Sequence, residues 1–170
     1  MTKRSKQKPG DKMPDDAPRV SHRAAHRRVM QGEEYIEPCI PKGDRAADAI
    51  GSIMPDGSVF AGISPDTGKT MYATPADAPL TMEFTQATAY AGKLDAHGHR
   101  DWRVPTKAEL NVLFNNRAAI GGFNVSGSYP AGWYWSATPG DRWDAWCQRF
   151  SDGLQHDGDK VSPSSVRCVR

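Results

Sequence analysis

From residue 50 onward the apolar positions follow two periods, one helical and one of strands, and the changes of period mark the elements. Leu110, Leu113 and Phe114 fall at i, i+3 and i+4, one stripe facing a core, and the polar run Asn115-Asn116-Arg117 ends it. The spacing predicts a helix from about Lys107 to Asn115. Thr106 is placed to cap it, Glu109 three positions later can reach back to the Thr106 N–H, and Pro105 fixes the direction of approach. Just before it, Asp101-Trp102-Arg103 sets a large ring between two charges, a short strand that buries Trp102 while the charges turn outward or pair. An earlier stripe, Phe84, Ala87, Tyr90, Ala91 and Leu94, predicts a first helix capped by Thr81, with Gly98 shortly after its end and Phe84, Tyr90 and Leu94 packed inward.

Strand signals surround the two helices. Gly51 to Ile63 holds two short apolar runs around the turn Pro55-Asp56-Gly57, and with Thr70 to Ala73 it predicts a β-meander. Three further strands are expected at Trp133–Ala137, Ala145–Phe150 and Ser165–Val169, with alternation sending Trp133 and Trp135 to one face and Tyr134 to the other. Gly121 to Gly132 reads as a long irregular loop, of the kind that is functional or well packed inside a compact domain. Two helices beside a small, mostly antiparallel sheet give an α+β domain over residues 50–170.

Charge separates that domain from what precedes it. Residues 1–30 carry nine Lys or Arg against three Asp, a net +6, whereas the rest carries thirteen against seventeen, a net −4, within a chain of +2. Residues 1–49 therefore read as a basic extended arm and linker, unable to bury enough apolar surface to fold alone. Within it Val20 to Gln31 has the pattern of a short helix capped by Ser21, and Glu33 to Pro41 that of an extended crossing. Such an arm seeks acidic surfaces. No aromatic residues interleave its basic ones as single-strand binders require, so an acidic protein partner is expected ahead of nucleic acid. No apolar run approaches the ~18 residues of a membrane span, and no apolar h-region follows the charged N-terminus. Cytoplasmic synthesis without a signal peptide is the expectation.

Asp101-Trp102-Arg103-Val104-Pro105-Thr106-Lys107-Ala108-Glu109-Leu110, then Gly132 to Thr138, Ala145 to Gly153 and Ser165-Val166-Arg167-Cys168-Val169-Arg170, form an ordered, dense set of motifs. From about Gly51 to Arg170 the chain resembles the C-terminal domain family of the collagen-like bacterial adhesins. The resemblance implies a C-type-lectin-like fold, related to the formylglycine-generating enzyme and to the variable proteins diversified by retroelements in phages and bacteria. It also implies that the C-terminal strands and their loops form a display face, and that Cys147 and Cys168 lie in strands of one sheet.

Three cysteines, Cys39, Cys147 and Cys168, are read as reduced thiols, with a Cys147–Cys168 bridge as the sharper alternative that would leave Cys39 for another chain. A copper oxidase like the formylglycine-generating relatives is the enzymatic alternative. The strand settings of both cysteines favour structure over catalysis, and no enzyme, cofactor or catalytic residue is expected. Asp152, Asp157 and Asp159 are oxygen ligands of the kind calcium uses, but their spacing departs from the EF-hand and Asp157-Gly158 is itself a hairpin signal, so no metal is assigned. The sugar-binding motifs Glu-Pro-Asn and Trp-Asn-Asp of many C-type lectins are absent.

The candidate ligand-binding face is Tyr129, Arg142, Trp143, Asp144, Gln155 and His156, which mixes aromatic anchors with adaptable hydrogen-bonding groups. The sequence thus leads to a non-enzymatic binding module. Residues 1–45 would anchor it among other proteins of a large surface assembly, best suited by a phage particle because virions leave by lysis, where it would serve as a decoration or receptor-binding protein. A cell-surface receptor is the expected external partner, and a purely structural subunit the alternative.

Overall fold

The structure, a computed structural model, describes residues 49–170. The expected arm, its short helix at Val20–Gln31 and Cys39 lie outside the described residues. The chain order is β1 (Val59–Ile63), β2 (Thr70–Ala73), α1 (Phe84–Lys93), α2 (Lys107–Asn115), α3 (Arg117–Ile120), β3 (Trp133–Pro139), β4 (Asp144–Arg149) and β5 (Gln155–Asp159). The α+β class expected from the sequence holds. The strands divide between two antiparallel sheets, however, β1-β2 and β3-β4-β5.

The three-stranded sheet is packed on both sides, and strand alternation is the reason. Tyr134 enters a core with Leu110, Leu113, Ile120, Phe150 and residues of β1 and β2. Trp135 enters a second core with Ala87, Ala91, Trp102, Cys147 and Cys168, against which Trp133 packs from the edge. The expected assignment of the two tryptophans to one face and the tyrosine to the other is therefore observed. Helix α1 meets that second core through the small residues Ala87 and Ala91, which are buried, while Phe84, Tyr90 and Leu94 flank them half-buried.

Helix α2 starts as its sequence predicts. Thr106 Oγ1 accepts from Glu109 N at 3.2 Å, and Glu109 Oε2 accepts from Thr106 N at 3.0 Å. Glu109 does more than cap: its fully buried carboxylate also receives both terminal nitrogens of Arg103, at 2.5 and 2.7 Å, and the Ser64 hydroxyl at 2.6 Å. Burial alone would raise its pKa, but these donors outweigh burial and hold the carboxyl down at about 2. Trp102 is buried between α1 and the sheet, its Nε1 donating to Ala96 O at 3.0 Å.

Three expected boundaries moved, each for a stated cause. Helix α1 is capped by Glu83, with Gln86 reciprocating, instead of Thr81, because Met82 is taken up by a bridge to Ser164. Asp157-Gly158 lies inside β5 instead of forming a hairpin; the turn falls at the earlier pair Asp152-Gly153, where Gly153 has φ +83° and a Cβ would lie 2.5 Å from the Phe114 ring. The segment expected as the third strand, Ser165–Val169, is extended but runs as a seam between the sheets. Val169 bridges Ala73 and Arg103, Ser165 bridges Tyr134, and β5 occupies the place beside β4.

Two outcomes are expected. Trp102→Ala should lose ~3–5 kcal/mol to the cavity left between α1 and the sheet, and Thr106→Ala ~1 kcal/mol to the lost cap, in denaturant unfolding. Unchanged midpoints in both would contradict this core. The depressed Glu109 pKa supplies stability that is complete above its ordinary value of 4.5 and is lost as pH falls toward about 2. Glu109→Gln should therefore be less stable at neutral pH and should lose less stability than the wild type over that acid interval.

Candidate functional site

The loop Gly121–Gly132 is positioned by a buried cation. Arg167, at 0% exposure, donates from Nε to Asp77 Oδ1 at 2.7 Å, from Nη1 to Thr74 O at 2.9 Å and from Nη2 to Gly122 O at 2.6 Å. Its guanidinium lies 3.9 Å from the centre of the Phe123 ring. The other Asp77 oxygen accepts the Tyr134 hydroxyl at 2.6 Å, and that hydroxyl accepts the N–H of Asn124 at 2.6 Å. Burial first, and then the Asp77 carboxylate, push the Tyr134 pKa well above the usual phenol range. Further along, Ala131 O accepts from Ser165 Oγ at 2.8 Å and Gly132 O from Phe150 N at 3.0 Å, so the loop is pinned at both ends and Tyr129 stands out from it at 59% exposure.

Beneath Tyr129 opens a groove of about 430 Å³, lined by Trp133, Trp135 and Cys147 and bordered by His156 to Asp159, Ser162 and Ser164. Register explains the grouping. Trp135, Cys147 and His156 lie opposite one another across β3, β4 and β5 and so share a face. Gly158 lets β5 approach this face closely: a Cβ there would press on Cys147 Sγ at 3.3 Å and on the Trp135 ring at 3.4 Å.

A second feature adjoins the groove. At the β3–β4 turn, Asp141 Oδ1 accepts the N–H groups of Trp143 at 2.6 Å and Asp144 at 2.8 Å, and these bonds lower the Asp141 pKa. Lys160 Nζ donates to the carbonyls of Asp141 at 2.7 Å and Arg142 at 3.1 Å, tying the turn to the segment that ends the groove. Trp143 is left 66% exposed, with the Arg142 guanidinium 4.7 Å from its ring centre. Asp144, half-buried at the start of β4, has its pKa raised by burial and then by the carboxylates of Asp141, Asp157 and Asp159.

Of the six residues expected on one face, Tyr129 and His156 border the groove, and Arg142, Trp143 and Asp144 form the adjoining turn. Gln155 does not belong with them. It is one position out of phase with His156, so it points toward α2, where its Nε2 donates to Lys107 O and to Gln148 Oε1, each at 3.3 Å. His156 also lies within β5, not in a turn. The floor residues Trp133 and Cys147, and the close approach that Gly158 allows, were missed; the Trp133/Trp135 alternation was the signal available for them.

The remaining candidates are dispersed. Asp152 is paired with Arg149, whose Nε donates to it at 2.9 Å, while Asp157 and Asp159 sit in β5. Among the described residues no three His, Cys, Asp or Glu side chains are gathered as a metal site. Cys147 and Cys168 share a core but are free thiols, and burial pushes their pKa values up to about 11 and about 12. Both are therefore protonated at neutral pH and poor nucleophiles.

No curated protein matches the chain. Residues 64–170, which contain the Glu109 cap, the Arg167 clamp, the groove and the Trp143 turn, match the Lcl C-terminal domain, and the chain belongs to that family of adhesin-like modules.

Proposed function

We propose that residues 49–170 form a non-enzymatic binding module that presents the Tyr129–His156 groove and the Arg142–Trp143 turn as one recognition face. The observation that carries this reading is the exposure of Trp143, 66% on a turn whose backbone is held by Asp141 and Lys160. A large ring held rigidly in solvent contributes nothing to the core and loses little entropy on contact, which is the profile of a binding anchor. Two buried, protonated thiols support a module that binds over one that performs thiol chemistry. A display face on the same C-terminal strands is also what the lectin-like resemblance implies, which supports the reading.

In this proposal the basic residues 1–45 anchor the chain to acidic proteins of a large surface assembly, most suitably a phage particle, and the recognition face meets a cell-surface receptor. Purified assemblies carrying the full chain provide the test. Arg142→Ala with Trp143→Ala should leave melting and incorporation unchanged while cell attachment falls by about tenfold or more, as loss of an aromatic anchor entails. Deletion of residues 1–45 should abolish incorporation. Wild-type attachment by the double variant would remove the recognition face, and loss of its incorporation would instead mark that face as a contact within the assembly.

A further inference from the structure

Lys160, the residue that follows β5, is bonded through both its N–H and its carbonyl. The N–H donates to Trp143 O at 3.0 Å and the carbonyl accepts the Phe84 N–H at 3.0 Å, so the turn that carries Trp143 and the first residue of α1 meet at one position. The side chain adds a third tie, with Nζ donating to the carbonyls of Asp141 at 2.7 Å and Arg142 at 3.1 Å. The same Nζ lies 5.7 Å from the centre of the Phe84 ring, which packs edge-on against the buried Trp135. Trp143 is thus referred to the core through one lysine.

The ammonium group stands in acidic surroundings. Asp141 belongs to the turn, Asp144 begins β4, and Asp157 and Asp159 lie on β5, where His156 Nδ1 is 3.5 Å from Asp157. Burial first, and then the carboxylates of Asp141, Asp157 and Asp159, raise the Asp144 pKa, and Lys160 is the cation that opposes them. At Asp141 the N–H groups of Trp143 and Asp144 lower the pKa and Lys160 acts in the same direction. The other charges nearby are engaged: Arg142 lies over Trp143, Arg149 is bound to Asp152, and Glu83 caps its own helix. Without the ammonium group, Asp141 and Asp144 would repel each other across a turn that is closed by Gly140 N–H and Asp141 N–H on Asp144 O, at 2.9 and 3.1 Å.

We propose that Lys160 is a positioning residue for recognition: its ammonium group holds the Arg142–Trp143 turn closed against the repulsion of its own carboxylates and keeps Trp143 set for a partner that the lysine itself does not touch. This rests on the recognition face proposed above and names what keeps its anchor in place. An ordered anchor loses less entropy on binding than a mobile one, so the lysine acts on affinity through Trp143. The carboxylates also give it a pH signature. Asp144, raised, takes up a proton before Asp141, lowered, so mild acid relieves the repulsion while Asp141 Oδ1 still accepts the two N–H groups of the turn.

The test compares the full chain carrying Lys160→Met, which keeps the length of the side chain and removes its charge, with Lys160→Arg and the wild type. Nitrogen relaxation reads the turn, with the Trp143 indole identified by its loss in Trp143→Phe. Lys160→Met should melt as the wild type does, yet show more mobile Trp143 and Asp144 N–H groups at neutral pH with α2 unchanged. Mild acid should narrow that difference, and Lys160→Arg should match the wild type. In purified assemblies Lys160→Met should attach to cells about fivefold less well. A turn as ordered as the wild type's in Lys160→Met would overturn the proposal, and attachment lost with the turn still ordered would do so by making Lys160 a direct contact. Wild-type attachment with a mobile turn would overturn it as well. Failure of the recognition face itself reads differently, as wild-type attachment by Arg142→Ala with Trp143→Ala, and leaves the relaxation result standing.

Discussion

A single guanidinium removed from water sets the geometry of this domain. Placing an ion in a protein interior costs several kcal/mol unless every donor is matched, and Arg167 is fully buried. Its match is the Asp77 carboxylate together with backbone carbonyls of Thr74 and Gly122, drawn from the segment after β2 and from the loop after α3. Those chain segments cannot drift without stranding a charge. A lysine would not substitute, since one ammonium cannot span the same planar set of acceptors. Asp77 extends the constraint to Tyr134 and, through its hydroxyl, to Asn124 in the loop that carries Tyr129.

A buried carboxylate, Glu109, does for the other half what Arg167 does for this one. Glu109 joins the start of α2 to Arg103 and to Ser64, just beyond β1. The seam from Ser164 to Val169 lies between the two arrangements and is buried throughout. Its alternation sends Val166 and Cys168 into the core shared with α1, and Val169 into the core shared with α2. The groove is a consequence of this layout. Its floor is the edge of the α1-side core, on which β5 packs closely at Gly158, and its aromatic overhang is supplied by the clamped loop.

What the sequence disclosed was what local chemistry decides. The Thr106–Glu109 cap, the burial of Trp102 between charges and the division of Trp133, Tyr134 and Trp135 between two faces all depend on residues close together in the chain. The groove depends on register across three strands, where a shift of one residue exchanges faces; that is why Gln155 and His156 were read together although they point apart. Two Asp-Gly pairs competed for one turn, and it was packing of Gly153 against Phe114, a contact remote in sequence, that decided between them. The burial of Arg167 was equally hidden, because a charged residue in the run Ser165 to Arg170 gives no local sign that acceptors from two distant segments surround it.

The central claim is that the Arg167–Asp77–Tyr134 arrangement holds the binding loop in place. Amide hydrogen exchange in Asp77→Asn, a change that preserves shape and removes charge, tests it most directly. The account predicts that amides between Gly122 and Gly132, Asn124 foremost, exchange about tenfold faster or more while those of α2 keep their wild-type protection, the signature of a local opening. Loop amides that exchange at the wild-type rate in a folded Asp77→Asn protein would contradict it.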